Sequence, residues 1–151
     1  MSNPLFQKLV HTDDNYGSLA ARLTLAIVMF PHGAQKVLGW WGGNGFSGTY
    51  EYFTATAGLP GIVALLVIFG EFLGPIGLAV GLMSRFAAFG LGLIMTGAIF
   101  MAHLQHGFFM NWYGNQAGEG FEYHLLVIGL AIVTMIQGSG ALSIDRRLSQ
   151  D

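Results

Sequence analysis

Long apolar runs alternate with short polar or glycine-rich stretches along the chain. Four runs stand out, at about residues 18–41, 59–83, 85–105 and 121–142. None has the strict apolar–polar alternation of a barrel strand, so each predicts a helix. Each is long enough to cross a bilayer, which takes roughly 20 residues. The pattern therefore predicts an all-α membrane protein, a four-transmembrane-helix antiparallel bundle. The first run is the most interrupted, by Arg22, Pro31, His32, Gln35 and Lys36. The second and third are joined by little more than Ser84 and Arg85, which forces a hairpin.

The connections have their own signals. Between the first two runs lies WWGGNGFSGTYEYFTATAGLP. Its glycine-rich half predicts a turn. Its second half predicts a short interfacial helix in the first outer loop, with Ser47 as N-cap, Gly58 as stop and Pro60 opening the next helix. The second long connection, HGFFMNWYGNQAGEG, places Trp112 and Tyr113 as interface anchors, as Trp40 and Trp41 are in the first. Residues 1–17 and 143–151 are expected to be short tails. In the first, Leu5, Phe6, Leu9 and Val10 would touch the bilayer surface. Asp13 and Asp14 precede the first apolar run and no cleavage-site pattern follows it, so this start does not predict a signal peptide. No repeat and no second domain is visible within residues 18–142.

Composition strengthens the membrane reading. Of 151 residues, 53% are hydrophobic and 9% charged, against about 25% charged in an average soluble domain. The 23 glycines suit close helix approach in lipid. A net charge of −2 argues against a nucleic-acid surface. With no cysteine, thiol redox chemistry, disulfides and thiolate metal sites are excluded. Of the six Lys and Arg residues, all but Lys36 fall on the side of the termini. That bias predicts a multi-pass protein of the inner (plasma) membrane with both termini cytoplasmic and both long loops outside.

One residue in the second run changes the picture. Glu71 lies near the middle of GIVALLVIFGEFLGPIGLAVGLM. A carboxylate at that depth costs at least about 2.5 kcal/mol unless it is protonated, paired or turned to a polar interior. Pro75 frees the carbonyl next to it. Gly70, Gly74, Gly77 and Gly81 form a small-residue seam beside it for helix–helix contact. On the first run Arg22, His32 and Lys36 share one stripe, Arg22 and Lys36 projecting within about 40° of each other. An Arg22–Glu71 pair is the first expectation, with Lys36 or His32 reached through water as the next. On the third run Thr96, His103 and His106 share a face. On the fourth, Glu122 and His124 project about 200° apart, so only one can face inward. The outer half thus collects His32, Gln35, Lys36, His103, His106, Glu119, Glu122 and His124.

These residues resemble the DoxX family of small four-helix membrane proteins. The first run carries Arg22 and then Phe30-Pro31-His32-Gly33-Ala34-Gln35-Lys36, similar to R…F…HG.QK. The second carries Gly70-Glu71-Phe72-Leu73-Gly74 and Gly81-Leu82-Met83-Ser84-Arg85-Phe86-Ala87-Ala88, similar to GE..GG…GL.TR.AA. His103 closes the third run. Gly138-Ser139-Gly140-Ala141-Leu142-Ser143-Ile144-Asp145 resembles GPG..SLD, with Ser139 where the family usually has proline, a change that predicts a looser final turn. The family takes its name from a small subunit of a quinone-reactive respiratory complex in archaea, and other members are associated with oxidative-stress oxidoreductase complexes. The resemblance, which covers about residues 20–147, implies an accessory subunit of a membrane oxidoreductase.

Three functions follow as expectations. In the first, Glu71, Arg22, His32 and Lys36 bind a quinone head or relay protons, with Gln35, His103 and Glu122 as further cofactor contacts. The plain counterpart is a structural ion pair locking the helices. In the second, His103, His106 and His124 hold a metal or haem at the outer face. Against it stands the ordinary reading of interfacial histidines bonded to water and loop carbonyls. In the third, the chain is a non-catalytic assembly subunit. Its partners would be lipid, quinone, other oxidoreductase subunits or a second copy. A transporter is the weakest reading, because no inverted repeat or broken-helix pair is visible.

Overall fold

In the computed structural model residues 4–150 are described. Residues 1–3 and 151, the outermost parts of the two expected tails, and the side chains of Pro4 and Leu5 lie outside the described residues. The regular elements of the described chain are all helices, with no strand. The helices are α1 (Pro4–Val10), α2 (Tyr16–Leu38), α3 (Gly45–Glu51), α4 (Gly61–Val80), α5 (Ser84–Ala98), α6 (Glu122–Gln137) and α7 (Ile144–Gln150).

Four of these, α2, α4, α5 and α6, pack antiparallel. Cross-links between distant positions fix the directions. Arg22 near the start of α2 bonds the end of α4 at Leu78, and Lys36 near the end of α2 bonds Glu71 higher on α4. Ser18 at the start of α2 bonds Gln137 at the end of α6. Each helix buries one stripe at helical spacing: Arg22, Leu25 and Met29 on α2, Ala64, Ile68, Glu71, Pro75 and Leu78 on α4, Ala88, Leu91 and Met95 on α5, His124, Val127, Ala131 and Thr134 on α6. Glu71 and His124 therefore occupy core positions of their helices.

The outside is as apolar as the inside. Ile27, Leu66, Phe86, Phe100, Leu126 and Ile136 are each more than half exposed. A belt of this kind suits lipid and not water. Helix α4, and α5 continued through π and 3-10 turns to His106, are each long and apolar enough to cross a membrane. Helix α6 is apolar but 16 residues long. Helix α2 has the length, 23 residues, but carries the polar stripe.

Several local expectations change. The first loop helix starts at Gly45, with Asn44 and not Ser47 at the N-cap, and runs on as a π turn over Tyr52–Thr56. Gly58 in the left-handed region and Pro60 do end it and open α4. Two glycines of the α4 seam face α5, where a β-carbon on Gly70 would meet Ile94 and one on Gly74 would rest on Leu91, whereas Gly77 lies by Leu82 O and Gly81 by Ser143 and Arg22. The small residue between α2 and α4 is Gly33. A β-carbon there would lie 2.1 Å from the Glu71 carbonyl oxygen. That is the carbonyl Pro75 leaves without an intrahelical donor, and Gly33 gives it room against α2.

The described part of each tail packs on the bundle. Val10 is fully buried rather than on the bilayer surface. Arg85 ties α1 down, donating to Leu9 O at 3.2 Å and to His11 O, and through Nε to Met135 O at 3.0 Å. At the other terminus α7 carries Asp145, 1% exposed.

Candidate functional site

The buried polar groups fall into two sites, one at each end of the bundle. At the end where α1 and α7 lie, Arg22 is 1% exposed and donates only to backbone carbonyls. Its Nε bonds Ser139 O (2.7 Å), Nη1 bonds Leu78 O and Ala79 O (2.7 and 2.9 Å), and Nη2 bonds Ala141 O and Leu142 O (3.0 and 2.9 Å). Leu78 and Ala79 belong to the last turn of α4, whose orphan acceptors need partners. The other three carbonyls belong to the turn between α6 and α7. All five donors of the guanidinium fork are thus engaged. The expected Arg22–Glu71 pair does not form, because Arg22 is held at the opposite end of the α2–α4 contact.

Beside Arg22, Asp145 caps α5. Its carboxylate accepts from Met83 N (2.7 Å) and Ser84 N (3.0 Å), and from the Ser139 hydroxyl. A carboxylate on the first amides of a helix is favourably placed in its dipole. Met83 sits at φ 49°, a left-handed conformation that this bond helps hold. The Ser84 and Ser139 hydroxyls are 2.7 Å apart. Ser139 therefore does not loosen the final turn; its side chain joins the turn to α5 and α7. Gly81, at φ 69°, admits this knot, since a β-carbon there would lie 2.4 Å from Ser143 Cβ.

At the other end, where α2 meets the first long loop, Lys36 Nζ lies 2.5 Å from Glu71 Oε2. Glu71 has 6% side-chain exposure and Lys36 has 23%. The lysine stem lies along α2, and its ammonium also approaches His32 O at 3.5 Å. Four rings gather around the pair, those of His32, Tyr123, His124 and His103. The His32 ring is 5.9 Å from the Tyr123 ring, and Tyr123 is 5.5 Å from His124. The His124 and His103 rings lie 4.1 Å apart between centroids. The Tyr123 hydroxyl has the Met29 thioether as its acceptor, at 3.3 Å, a weak partner. His103 Nδ1 is 2.8 Å from Glu119 O. Among the described residues, His124 Nδ1 is the buried side-chain nitrogen or oxygen atom without a hydrogen-bond partner.

The sequence candidates thus separate. Glu71, Lys36 and His32 come together; Arg22 does not join them. His103 and His124 meet near them, whereas His106 lies over Gly118 and beside Gln105. No group of three His, Asp or Glu among the described residues is placed to hold a metal ion. Glu122 turns to the second loop, accepting from Met110 N (2.9 Å) and Trp112 Nε1 (3.1 Å). Gln35 Nε2 reaches Trp41 O at 3.4 Å and steadies the turn after α2. Thr96 bonds its own helix at Gly92 O, on an exposed position. Tyr123 is a site residue that the sequence pattern does not single out. Its signal is a phenol on a membrane helix, which has to find an acceptor inside the bundle.

The same residues connect the chain to known proteins. The DoxX profile matches residues 17–104, which include Arg22, His32, Lys36, Glu71 and His103. The chain belongs to the DoxX family. It is 30% identical over 138 residues to "Inner membrane protein YqjF" of Escherichia coli (strain K12), covering 91% of this chain and 95% of that protein. It is 28% identical over 129 residues to "Putative oxidoreductase CatD" of Bacillus subtilis (strain 168), covering 85% and 84%. No solved structure matches it significantly. A DoxX chain with an apolar belt, and with an inner-membrane relative over nearly its whole length, is a membrane protein.

Proposed function

We propose that this DoxX protein is a four-span subunit of a membrane redox complex, and that Glu71 is the group it contributes to quinone-linked proton exchange. In this reading α2, α4, α5 and α6 are the spans and both termini are cytoplasmic. The His32, Lys36 and Glu71 end then faces outward. The observation that carries the proposal is the Lys36–Glu71 pair: a carboxylate on the core stripe of an apolar helix, held by a lysine that itself reaches the surface. A proton or a hydrogen-bonding head can exchange with such a carboxylate without crossing the bundle. The name of the Bacillus relative, "Putative oxidoreductase CatD", supports the redox class.

The test is purification in mild detergent with mass spectrometry of lipophilic cofactors. Wild type should retain a quinone, or bind a quinone analogue. Glu71→Gln should lose it while inserting and folding normally. Quinone absent from wild type, with no analogue binding, sinks the reading.

A second reading, a non-catalytic assembly subunit, is favoured by a specific observation. Two grooves, one lined by Val80, Leu142, Ser143, Ile144 and Arg147 and one by residues of α5 and α6, lie away from Glu71. A pull-down separates the two readings. Partner proteins that co-purify equally with wild type and Glu71→Gln, without quinone, select the assembly role.

A further inference from the structure

From the contrast between the bundle's two ends we infer that the Glu71–Lys36 site opens in one direction only. A vestibule lined by His32, His103 and His124 connects it to the loop end, and the Arg22 knot closes it from the terminal end. The inference rests on the four-span reading above for which face is outside; it does not require that the ligand be a quinone.

The closed side is apolar. Below Glu71 the core stripe consists of Met29, Leu25, Leu78, Leu91 and Ala88, each at most 1% exposed. The polar groups that reach this core are already bonded: the Tyr123 hydroxyl donates to the Met29 thioether, and the buried Thr134 hydroxyl to Leu130 O of its own helix. The guanidinium there has every donor on a backbone carbonyl, so it offers neither a free donor nor an acceptor to a water chain. A path for water needs polar partners at each step, and between Met29 and Arg22 this stretch supplies only the Thr134 hydroxyl, already bonded to its own helix.

The open side is different in kind. Lys36 is partly exposed and His32 is exposed. The His103 Nδ1 partner is a loop carbonyl, that of Glu119, so this ring sits at the boundary between bundle and loop. Deeper in, His124 Nδ1 is buried and unpaired, and the Tyr123 hydroxyl has only a thioether. Buried polar atoms in native proteins are nearly always satisfied by protein or water. The unpaired His124 Nδ1, near the loop end of α6, marks where a water or a ligand atom belongs; the Tyr123 hydroxyl points further in, toward Met29. Four helices each bring a polar group to this level: Lys36 from α2, Glu71 from α4, His103 from the extension of α5 and His124 from α6.

The pair itself offers the test. A carbodiimide activates a carboxyl group, and an amine in contact displaces the urea. The new bond joins Glu71 Cδ to Lys36 Nζ, and the water lost leaves as the oxygen and hydrogens of the urea. The product is a cross-link between α2 and α4 and an intact mass lower by one water. Lysine occurs at one other position, Lys8. A membrane-impermeant quaternary-ammonium carbodiimide is applied to right-side-out and to inverted membrane vesicles. The Lys36–Glu71 cross-link should form in right-side-out vesicles, at least tenfold more than in inverted ones, and be absent in Glu71→Gln and Lys36→Arg. Reaction of comparable extent in inverted vesicles overturns the inference. So does reaction with membrane-permeant dicyclohexylcarbodiimide alone, which would mean a sealed pair. An impermeant amine reagent on Lys8, exposed on α1, reports in the same vesicles which face carries the termini, so a wrong orientation is told apart from wrong access. A site that cross-links from outside but retains no quinone keeps the vestibule and removes the quinone reading. A second arm uses His124→Phe, which fills the vestibule with an apolar ring. It should slow the outside reaction several-fold while leaving the reaction in denaturing detergent unchanged; an unaltered rate counts against the histidine lining.

Discussion

Two cations sit on one helix, the buried Arg22 and the half-buried Lys36, and the bundle treats them in opposite ways. Arg22 is surrounded by carbonyls from α4 and the turn before α7, with Asp145 nearby but bonded elsewhere. Lys36 meets a single carboxylate and keeps part of its side chain exposed. The first arrangement has many fixed partners and no spare valence. The second has one close partner, a longer contact to His32 O and an ammonium stem that is part exposed. Planar guanidinium suits the first, because five donors in a rigid fork can staple several carbonyls at once. A lysine on a flexible stem suits the second, since it can follow or release its counter-ion. Charge on one helix, then, can be fully locked or left free to move; the number and mobility of its partners decides which.

The comparison can be broken most forcefully at Arg22. Arg22→Ala would remove the donor from Ala79, Ser139, Ala141 and Leu142 O and leave Leu78 O only the Gly81 N–H, and even with partial recovery by water at the membrane edge this should cost about 4 kcal/mol. Arg22→Lys should recover only part, because three donors cannot replace the fork. Loss of monodisperse protein in detergent, or a large drop in unfolding temperature, is the expected result. Near-wild-type stability of either variant would mean the knot is not what closes that end.

Gly33→Leu comes next. Its side chain cannot fit against the Glu71 carbonyl, so α2 and α4 must separate at a cost of about 3 kcal/mol. The variant should also lose the Lys36–Glu71 cross-link, since the helix spacing sets the ion-pair distance. Retention of the cross-link with unchanged thermal stability would contradict the packing described for that face.

Asp145→Ala removes the cap on α5 and leaves Met83 N and Ser84 N unpaired, for about 2 kcal/mol. Because α5 continues from the knot, the unfolding temperature should fall without any change in ligand retention by the folded fraction. A selective loss of the ligand would couple the two ends.

The smallest stability effect is expected at the pair itself. Glu71→Gln should shift stability by no more than about 1 kcal/mol, because Lys36 can turn to solvent. Its effect should appear instead in quinone retention and in the activity of the complex. A large destabilisation from Glu71→Gln would reverse the comparison and make the loop-end pair the structural one.

Much of the fold is legible in the order of residues. Apolar runs separated by glycine-rich stretches mark the helices, since segment length and hydropathy are local properties. Glu71 stands out as an anomaly for the same reason. Which cation it meets is not legible: helical phase places Arg22 and Lys36 on one stripe, and only the register of α2 against α4 chooses between them. That register is set by Gly33 against the Glu71 carbonyl, a contact between residues distant in sequence. The same limit hides Asp145, which reads as a tail residue and is a buried helix cap, and Ser139, which reads as a weakness and is a hydrogen-bonded link. It also hides the meeting of His103 with His124, and the separation of His106 and Glu122 from them. The sequence by itself determined the membrane class, the helices and the set of polar groups that had to find partners. The tertiary structure decided the partners, because a hydrogen bond or ion pair depends on distances of a few ångströms across helices, and those are fixed only when the helices pack.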